Sequence, residues 1–481
     1  MDVIENKKNA INLSRLSNHS YIINFYRKKI IGRKIVLTTD HGSWIALSKK
    51  EYNRFLNNNI STYLYNDLET RGIIITKNNY KSIIQEFYNR YSYLEYSPAL
   101  HIIVPTRTCN LKCIYCHSKA VSDGKIEYKM SEKTLKKILY FIFRSPSKFI
   151  KIEFNGGEPL LNKGMIKKTF QYVEELSKKY KKNYNITIVS NLTTMTKSFL
   201  HFLVKQKNNL SISTSLDGPE VVHNMNRRYA GNNKGTYKKV TEWIRCLSRN
   251  GISVGLLMVV TKYSLPYWKE IIDEYINWGI RKMYVKPLVY VGYAKDEWEK
   301  IAYTPEEFVS FWKKCVDYTF ELVEKDTIIS EFNLLFGLQN VLTTKNNGFL
   351  DFTNPCGAIR GQLTYDDKGD IYSCNLAKIF NEYKIGNVYE SIDYNTILNS
   401  NKSKEIILSS MLEGYYCDSC VYKPFCSICP VAYYGENDDL NIKINKNRSC
   451  LIHKAMYDYI FKKIIYESSK VKRYLSKIGG E

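Results

Sequence analysis

The spacing of apolar residues divides the chain into unlike stretches. From about residue 99 to 325, short apolar runs alternate with segments that repeat apolar residues at helical spacing. The runs predict strands at His101–Pro105, Lys151–Asn155, Asn185–Ser190, Ser211–Leu216, Ser253–Val260 and Lys282–Pro287. The segments between and after them predict helices near 131–144, 163–180, 195–206, 236–249, 266–278 and 305–324. In the last, Phe308, Phe311, Trp312, Cys315 and Leu322 share one face. Six strand–helix units in succession predict an α/β fold, a partial (β/α)6 barrel on a parallel sheet.

The flanks read differently. In residues 1–98, Tyr21–Phe25 and Lys34–Thr38 alternate as short strands, and Asp40-His41-Gly42-Ser43 is a turn. Ser48, with Glu51 three residues on, predicts a capped helix through Tyr52, Phe55 and Leu56. A second helix around Tyr63–Arg71 stops at Gly72, before Ile73-Ile74-Ile75. Together these make a small α+β module. Residues 326–355, with Asn346-Asn347-Gly348, read as a connector, and 356–455 are rich in cysteine. The tail, 456–481, continues a basic helix with Ala455, Tyr459, Ile460 and Ile464 at helical spacing, as expected of a docked closing helix.

Composition narrows the class. The 481 residues carry twelve cysteines, too few per length for a disulfide scaffold. Free thiols imply a reducing, cytoplasmic compartment. Met1–Lys8 has no apolar signal core, and Val254–Val260 is too short an apolar run to span a bilayer. The net charge of +24 would suit an acidic partner such as a nucleic acid or peptide. The charge is spread out, however, and forms no basic block, so nucleic acid is not indicated. Cys246 and Cys315 fall among apolar positions and read as core.

The remaining cysteines carry chemistry. In Thr108-Cys109-Asn110-Leu111-Lys112-Cys113-Ile114-Tyr115-Cys116, three thiols can face one point from a loop at the end of a strand. By spacing alone, they could hold zinc or a four-iron cluster with one iron left without a protein ligand. This loop, with aromatic Tyr115 before its third cysteine, resembles the signature of the radical S-adenosylmethionine (SAM) enzymes. The resemblance implies a [4Fe-4S] cluster on Cys109, Cys113 and Cys116 whose open iron chelates SAM. Its reduction would yield a 5′-deoxyadenosyl radical that abstracts hydrogen. It also implies a reductant such as flavodoxin or ferredoxin.

The same resemblance assigns the SAM contacts. Asn155-Gly156-Gly157-Glu158-Pro159-Leu160 matches the loop that receives the methionine amino group. Its glycines let backbone approach a ligand. Ser190 and Asn191 would meet the ribose, Ser215 and Arg227 the carboxylate, and Tyr115 the adenine or the underside of the cluster. Arg228 is the rival of Arg227. Downstream, Cys356, Gly369-x4-Cys374, Cys417-x2-Cys420-x5-Cys426-x2-Cys429 and Cys450 resemble the seven-cysteine SPASM domain. The departure is two residues, rather than three, between Cys426 and Cys429. By that pattern, Cys417, Cys420, Cys426 and Cys450 hold one auxiliary [4Fe-4S] cluster. Cys356, Cys374 and Cys429 hold a second with only three evident ligands, for three clusters in all.

The expected whole is a radical SAM barrel with a small N-terminal α+β module and a C-terminal SPASM domain. The strings Ala99–Thr106 and Phe154–Asn162 look most like the His-Xaa-Ser system radical SAM maturases. That implies a precursor-peptide substrate, oxidative crosslinking, and a second radical SAM maturase as a possible partner. The alternative is an anaerobic sulfatase maturase making formylglycine. There an Asp base follows the Gly-x4-Cys cysteine; here that position is Asn375. An RNA-modifying enzyme is the third reading. The residue that moves the proton is not identified.

Overall fold

A computed structural model describes residues 21–120, 128–346, 348–390, 393–440 and 447–479. The stretch Met1–Lys8 lies outside them. Its strands, in chain order, are β1 (Ile22–Ile23), β2 (Arg27–Ile31), β3 (Lys34–Thr38), β4 (Trp44–Leu47), β5 (Ile74–Ile75), β6 (Leu100–Ile103), β7 (Phe149–Phe154) and β8 (Asn183–Val189). They continue as β9 (Leu210–Ser215), β10 (Val254–Val259), β11 (Lys282–Met283), β12 (Val285–Lys286), β13 (Ser330–Glu331), β14 (Gln362–Tyr365), β15 (Asp370–Tyr372) and β16 (Lys384–Asn387).

The fold is α/β around a nine-stranded sheet of order β12-β10-β9-β8-β7-β6-β14-β15-β16. The strands from β6 to β12 in that sheet pair in parallel. Each of the six predicted helices forms, including Glu132–Phe143, Lys163–Tyr180 and Pro305–Glu324. The last opens with a capping box on Thr304 and Glu307 and Pro at its start, and it buries Phe308, Phe311, Trp312 and Cys315. Cys246 is only half-buried at the edge of this core, a correction to its reading as a core residue.

The cysteine-rich region adds strands to the barrel sheet. β14 pairs in parallel with β6, Tyr365 opposite Ile103, and β15 and β16 continue antiparallel. The stretch 326–355, expected to be a connector, folds instead. β13 pairs with β11, and a helix spans Phe332–Leu342. The buried Glu331 anchors both, accepting from Trp312 Nε1 at 2.7 Å, Leu334 N at 2.9 Å and Asn333 N at 3.1 Å.

The N-terminal module has its own core, Leu37, Leu47, Tyr52, Phe55, Leu64, Leu68, Ile73 and Ile74. The capping box on Ser48 and Glu51 forms as expected. The module docks on the C-terminal part of the chain. Trp44 Nε1 donates to Val341 O at 2.8 Å, and Thr38 Oγ1 donates to Val421 O at 2.8 Å. Trp44 also meets Phe461 edge-on, with ring centroids 5.1 Å apart. The closing helix, Arg448–Tyr466, buries Tyr457, Ile460 and Phe461. No helix among the described residues is long and apolar enough to cross a membrane.

Candidate cluster and cofactor site

The loop bearing Cys109, Cys113 and Cys116 leaves the end of β6 and is gripped from two sides. On one side, Gly157 N donates to Thr106 O at 3.0 Å and Glu158 N to Thr108 O at 2.8 Å. On the other, Lys112 N donates to Arg228 O at 2.9 Å and Ile114 N to Asn226 O at 3.1 Å. The first grip accounts for the two glycines. A Cβ on Gly157 would lie 2.1 Å from Thr108 O, and one on Gly156, at φ +126°, would lie 2.6 Å from Val104 Cγ1. Both glycines therefore admit the cysteine loop itself. Gly292, which sequence reading passed over, closes the far end: a Cβ there would lie 2.4 Å from Cys116 O.

Glu158 is buried and fully engaged. It accepts from Ser190 Oγ at 2.6 Å, Asn191 N at 2.8 Å and Leu160 N at 2.9 Å. Burial pushes its pKa up, and the Ser190, Asn191 and Leu160 bonds pull it back. Ser190 Oγ also accepts from Leu192 N at 2.9 Å. Glu158 and Ser190 thereby stitch the ends of β7 and β8 together. Pro159 is buried and begins the short helix that follows. Asn191 reaches the cysteine loop, with Nδ2 3.0 Å from Asn110 Oδ1 and 3.9 Å from Cys109 Sγ.

A buried chain of groups lies behind Cys113. Arg227, 8% exposed, donates from Nη1 to Tyr115 Oη at 2.7 Å. Tyr115 in turn donates to Asp217 Oδ2 at 2.7 Å, and Asn226 Nδ2 donates to the same oxygen at 3.2 Å. Tyr115 is itself 8% exposed. Burial opposes the charge on Arg227, but Cys113, Tyr115 and Asp217 overcome it and hold the guanidinium firmly protonated. Its Nε is buried without a partner. Arg228 instead turns back to Asn224 O at 2.9 Å. Ser215 ends β9 and is only half-buried. His223 is structural, with Nε2 2.9 Å from Thr236 Oγ1.

Burial pushes the Cys109 thiol up, and it raises Cys113 to about 12 although Arg227 pulls the other way. Thiolates so placed need positive charge beside them, and iron would supply it. Among the described residues, no three His, Cys, Asp or Glu side chains are close enough to hold a single metal ion. The donor set fits a cluster. The other seven cysteines fall into two groups. The Cys426 thiol is raised by burial and then by Cys420, Cys450 and Cys417. The Cys356 thiol is raised by burial and then by Cys429 and Cys374. These groupings follow the two sets that the resemblance to the SPASM domain implies.

One set of groups was missed. On β7, Ile150, Ile152 and Phe154 enter the core, while Lys151 and Glu153 take the opposite face. Glu153 lies near Lys378 and Lys286, and Lys378 lies near Cys116 and Cys374. Lys378 Nζ donates to Asn375 O at 2.9 Å and Oδ1 at 2.7 Å. Burial lowers its pKa to about 8, against the pull of Cys116, Cys374 and Glu153. The side chain is half-buried. A cavity of about 660 Å³ lies elsewhere, between the N-terminal module and the cysteine-rich region.

Residues 103–275 match the model of the Radical SAM superfamily. A cysteine-type anaerobic sulfatase-maturating enzyme of Clostridium novyi is 26% identical over 372 residues, 74% of this chain and 94% of that protein. The structure of native anSMEcpe with bound AdoMet superposes with a TM-score of 0.67 at 20% identity, covering 78% of this chain and 100% of that one. Streptococcus suis SuiB bound to the precursor peptide SuiA gives a TM-score of 0.55 at 18% identity, covering 89% of this chain and 99% of that one.

Proposed function

Starting from a radical SAM enzyme related to peptide-modifying maturases, we propose that this chain oxidatively crosslinks a side chain of a ribosomally made precursor peptide, in the manner of the His-Xaa-Ser system maturases. Cys109, Cys113 and Cys116 would hold the SAM cluster. The backbone of Gly156–Pro159 would receive the amino group of SAM, and Ser215 and Arg227 its carboxylate, through the unpartnered Nε. Asn191, beside Cys109, would reach the nucleoside. The bound clusters and SAM supply a hydrogen-abstracting 5′-deoxyadenosyl radical and, at the two auxiliary sets, an acceptor for the remaining electron.

The chain's own task is then the proton. Crosslinking removes two hydrogens from the peptide: one leaves as an atom, the other as a proton and an electron. Lys378, with Cys116 and Cys374 among its electrostatic neighbours, would take that proton. Asn375, at the position of the sulfatase-maturase base, has no basicity for it and orients Lys378 instead.

The observation that carries a peptide substrate is the 660 Å³ cavity between module and cysteine-rich region. Its lining mixes Phe25 and Phe87 with Arg27, Arg90, Asp40 and Glu413, apolar and charged groups of both signs suited to an extended peptide. The test is anaerobic co-expression with the precursor peptide encoded beside this gene. Loss of two hydrogens by mass spectrometry is expected. An unmodified peptide, with 5′-deoxyadenosine still released, refutes the substrate. Formylglycine formation is the second reading, favoured by the match to sulfatase-maturating enzymes over most of their length. It requires a base other than Asn375.

A further inference from the structure

The auxiliary set Cys356, Cys374 and Cys429 is one thiolate short of the usual four. We propose that the carboxylate of Asp351 is its fourth ligand. The inference rests on the reading that these three cysteines hold a cluster. The turn Leu350–Phe352 carries Asp351 and is clamped between two of the cysteine stretches. On the Cys356 side, Gly357 N donates to Thr353 Oγ1 at 3.0 Å. Added Cβ atoms would lie 2.5 Å (Gly357) and 2.4 Å (Gly361) from Leu350 Cδ2, so the two glycines leave room for the Leu350 side chain as it stands. On the Cys429 side, Ser427 Oγ donates to Asp351 O at 2.7 Å.

Asp351 is exposed, as is Cys429, and it lies near the same set. Asp351 is the one carboxylate among the leading electrostatic neighbours of Cys356, Cys374 and Cys429 alike. Two tyrosines compete for the place. Tyr383 is near all three cysteines, but its hydroxyl donates to Pro430 O at 3.0 Å and burial holds it protonated. Tyr284 is buried, strongly protonated, and hydrogen-bonded to Asp351 itself. A carboxylate needs no deprotonation at neutral pH to bind iron, whereas these phenols do. Tyr284 then orients the ligand.

The experiment uses the full chain, reconstituted anaerobically, as wild type, Cys374→Ala, Asp351→Ala and Asp351→Cys. Iron content, Mössbauer spectra and EPR are read with and without imidazole. Cys374→Ala identifies the signal of this cluster; if it changes neither iron nor spectra, the underlying cluster reading fails, whatever Asp351 does. Given that signal, Asp351→Ala should lose one iron from it on oxidation, adding a three-iron EPR signal beyond the one that the SAM cluster, itself one ligand short, can give in wild type. Asp351→Cys should keep four irons with a changed spectrum. Imidazole should shift the signal of Asp351→Ala and leave wild type alone. Spectra of Asp351→Ala identical to wild type, or a wild-type signal that imidazole shifts equally, overturn the proposal.

Discussion

Replacing Arg227 with Met separates its two jobs. Its Nη1 supports the Tyr115–Asp217 chain, and its Nε, buried without a partner, is the group proposed to bind the SAM carboxylate. Loss of a charge-assisted hydrogen bond costs about 1.5–3 kcal/mol. At about 1.4 kcal/mol per tenfold, that is roughly 10- to 150-fold weaker SAM binding. The same change strands the buried Asp217, where breaking a buried charged network costs on the order of 3–5 kcal/mol of stability. Arg227→Met with Asp217→Asn removes that stranded charge. Tyr115 Oη and Asn226 Nδ2 can still pair with the amide oxygen. The double variant should regain much of the stability that the single variant loses but none of the lost SAM affinity. Chemical denaturation and anaerobic calorimetric titration of the reconstituted proteins read the two quantities. If the double variant binds SAM within about threefold of wild type, Arg227 does not hold the carboxylate.

Gly157→Ala puts a Cβ 2.1 Å from Thr108 O and should cost about 1–3 kcal/mol and loosen the cysteine loop, read as iron lost on desalting. Gly164→Ala, in a helix with open space around it, is the control and should be neutral or stabilising by up to about 1 kcal/mol. His101 is fully buried, and burial lowers its pKa to about 3, so it stays neutral in the fold but charges in the unfolded chain below about pH 6.5. Its share of stability is intact above pH 6.5 and falls by about 1.4 kcal/mol per unit below. Denaturation of His101→Gln between pH 6 and 4 should show a slope shallower by that amount, and an unchanged slope contradicts the assignment. With Lys378, yield of crosslinked peptide per 5′-deoxyadenosine should rise through about pH 8 in wild type as the ammonium deprotonates. Lys378→Met should release 5′-deoxyadenosine with little product at any pH.

Legibility followed the range of the interactions. The capping box at Ser48, the six strands and the helix Pro305–Glu324 depend on neighbours in sequence, and their patterns are visible there. β2 was missed because Lys28, Lys29 and Ile30 are all exposed, so it shows no alternation. β14 was missed because its partner β6 lies some 260 residues earlier in the chain. Motifs name residue types but not what they face: Glu158 and Ser190 proved to bind each other. Lys378 was hidden by abundance. Among 71 lysines and arginines, a buried one looks like the rest until the fold places it beside Cys116 and Cys374.

The pairing of β14 with β6 also sets the distance over which electrons must move. β6 ends at Ile103, six residues before Cys109. β14 is preceded by Cys356 and followed, through β15, by Cys374. Register is held by Gln362 opposite Leu100 through Tyr365 opposite Ile103, and by Val104 N donating to Tyr365 O at 2.9 Å. A slip of one residue would turn the buried Leu363 and Tyr365 to the opposite face, so the register is strongly specified. The separation between the SAM loop and the Asp351-bearing set is therefore fixed by backbone hydrogen bonds within one sheet, not by packing between two movable domains. One β-ladder thus fixes the loop of Cys109, Cys113 and Cys116 relative to Cys356 and Cys374, with Lys378 among the electrostatic neighbours of Cys116 and Cys374.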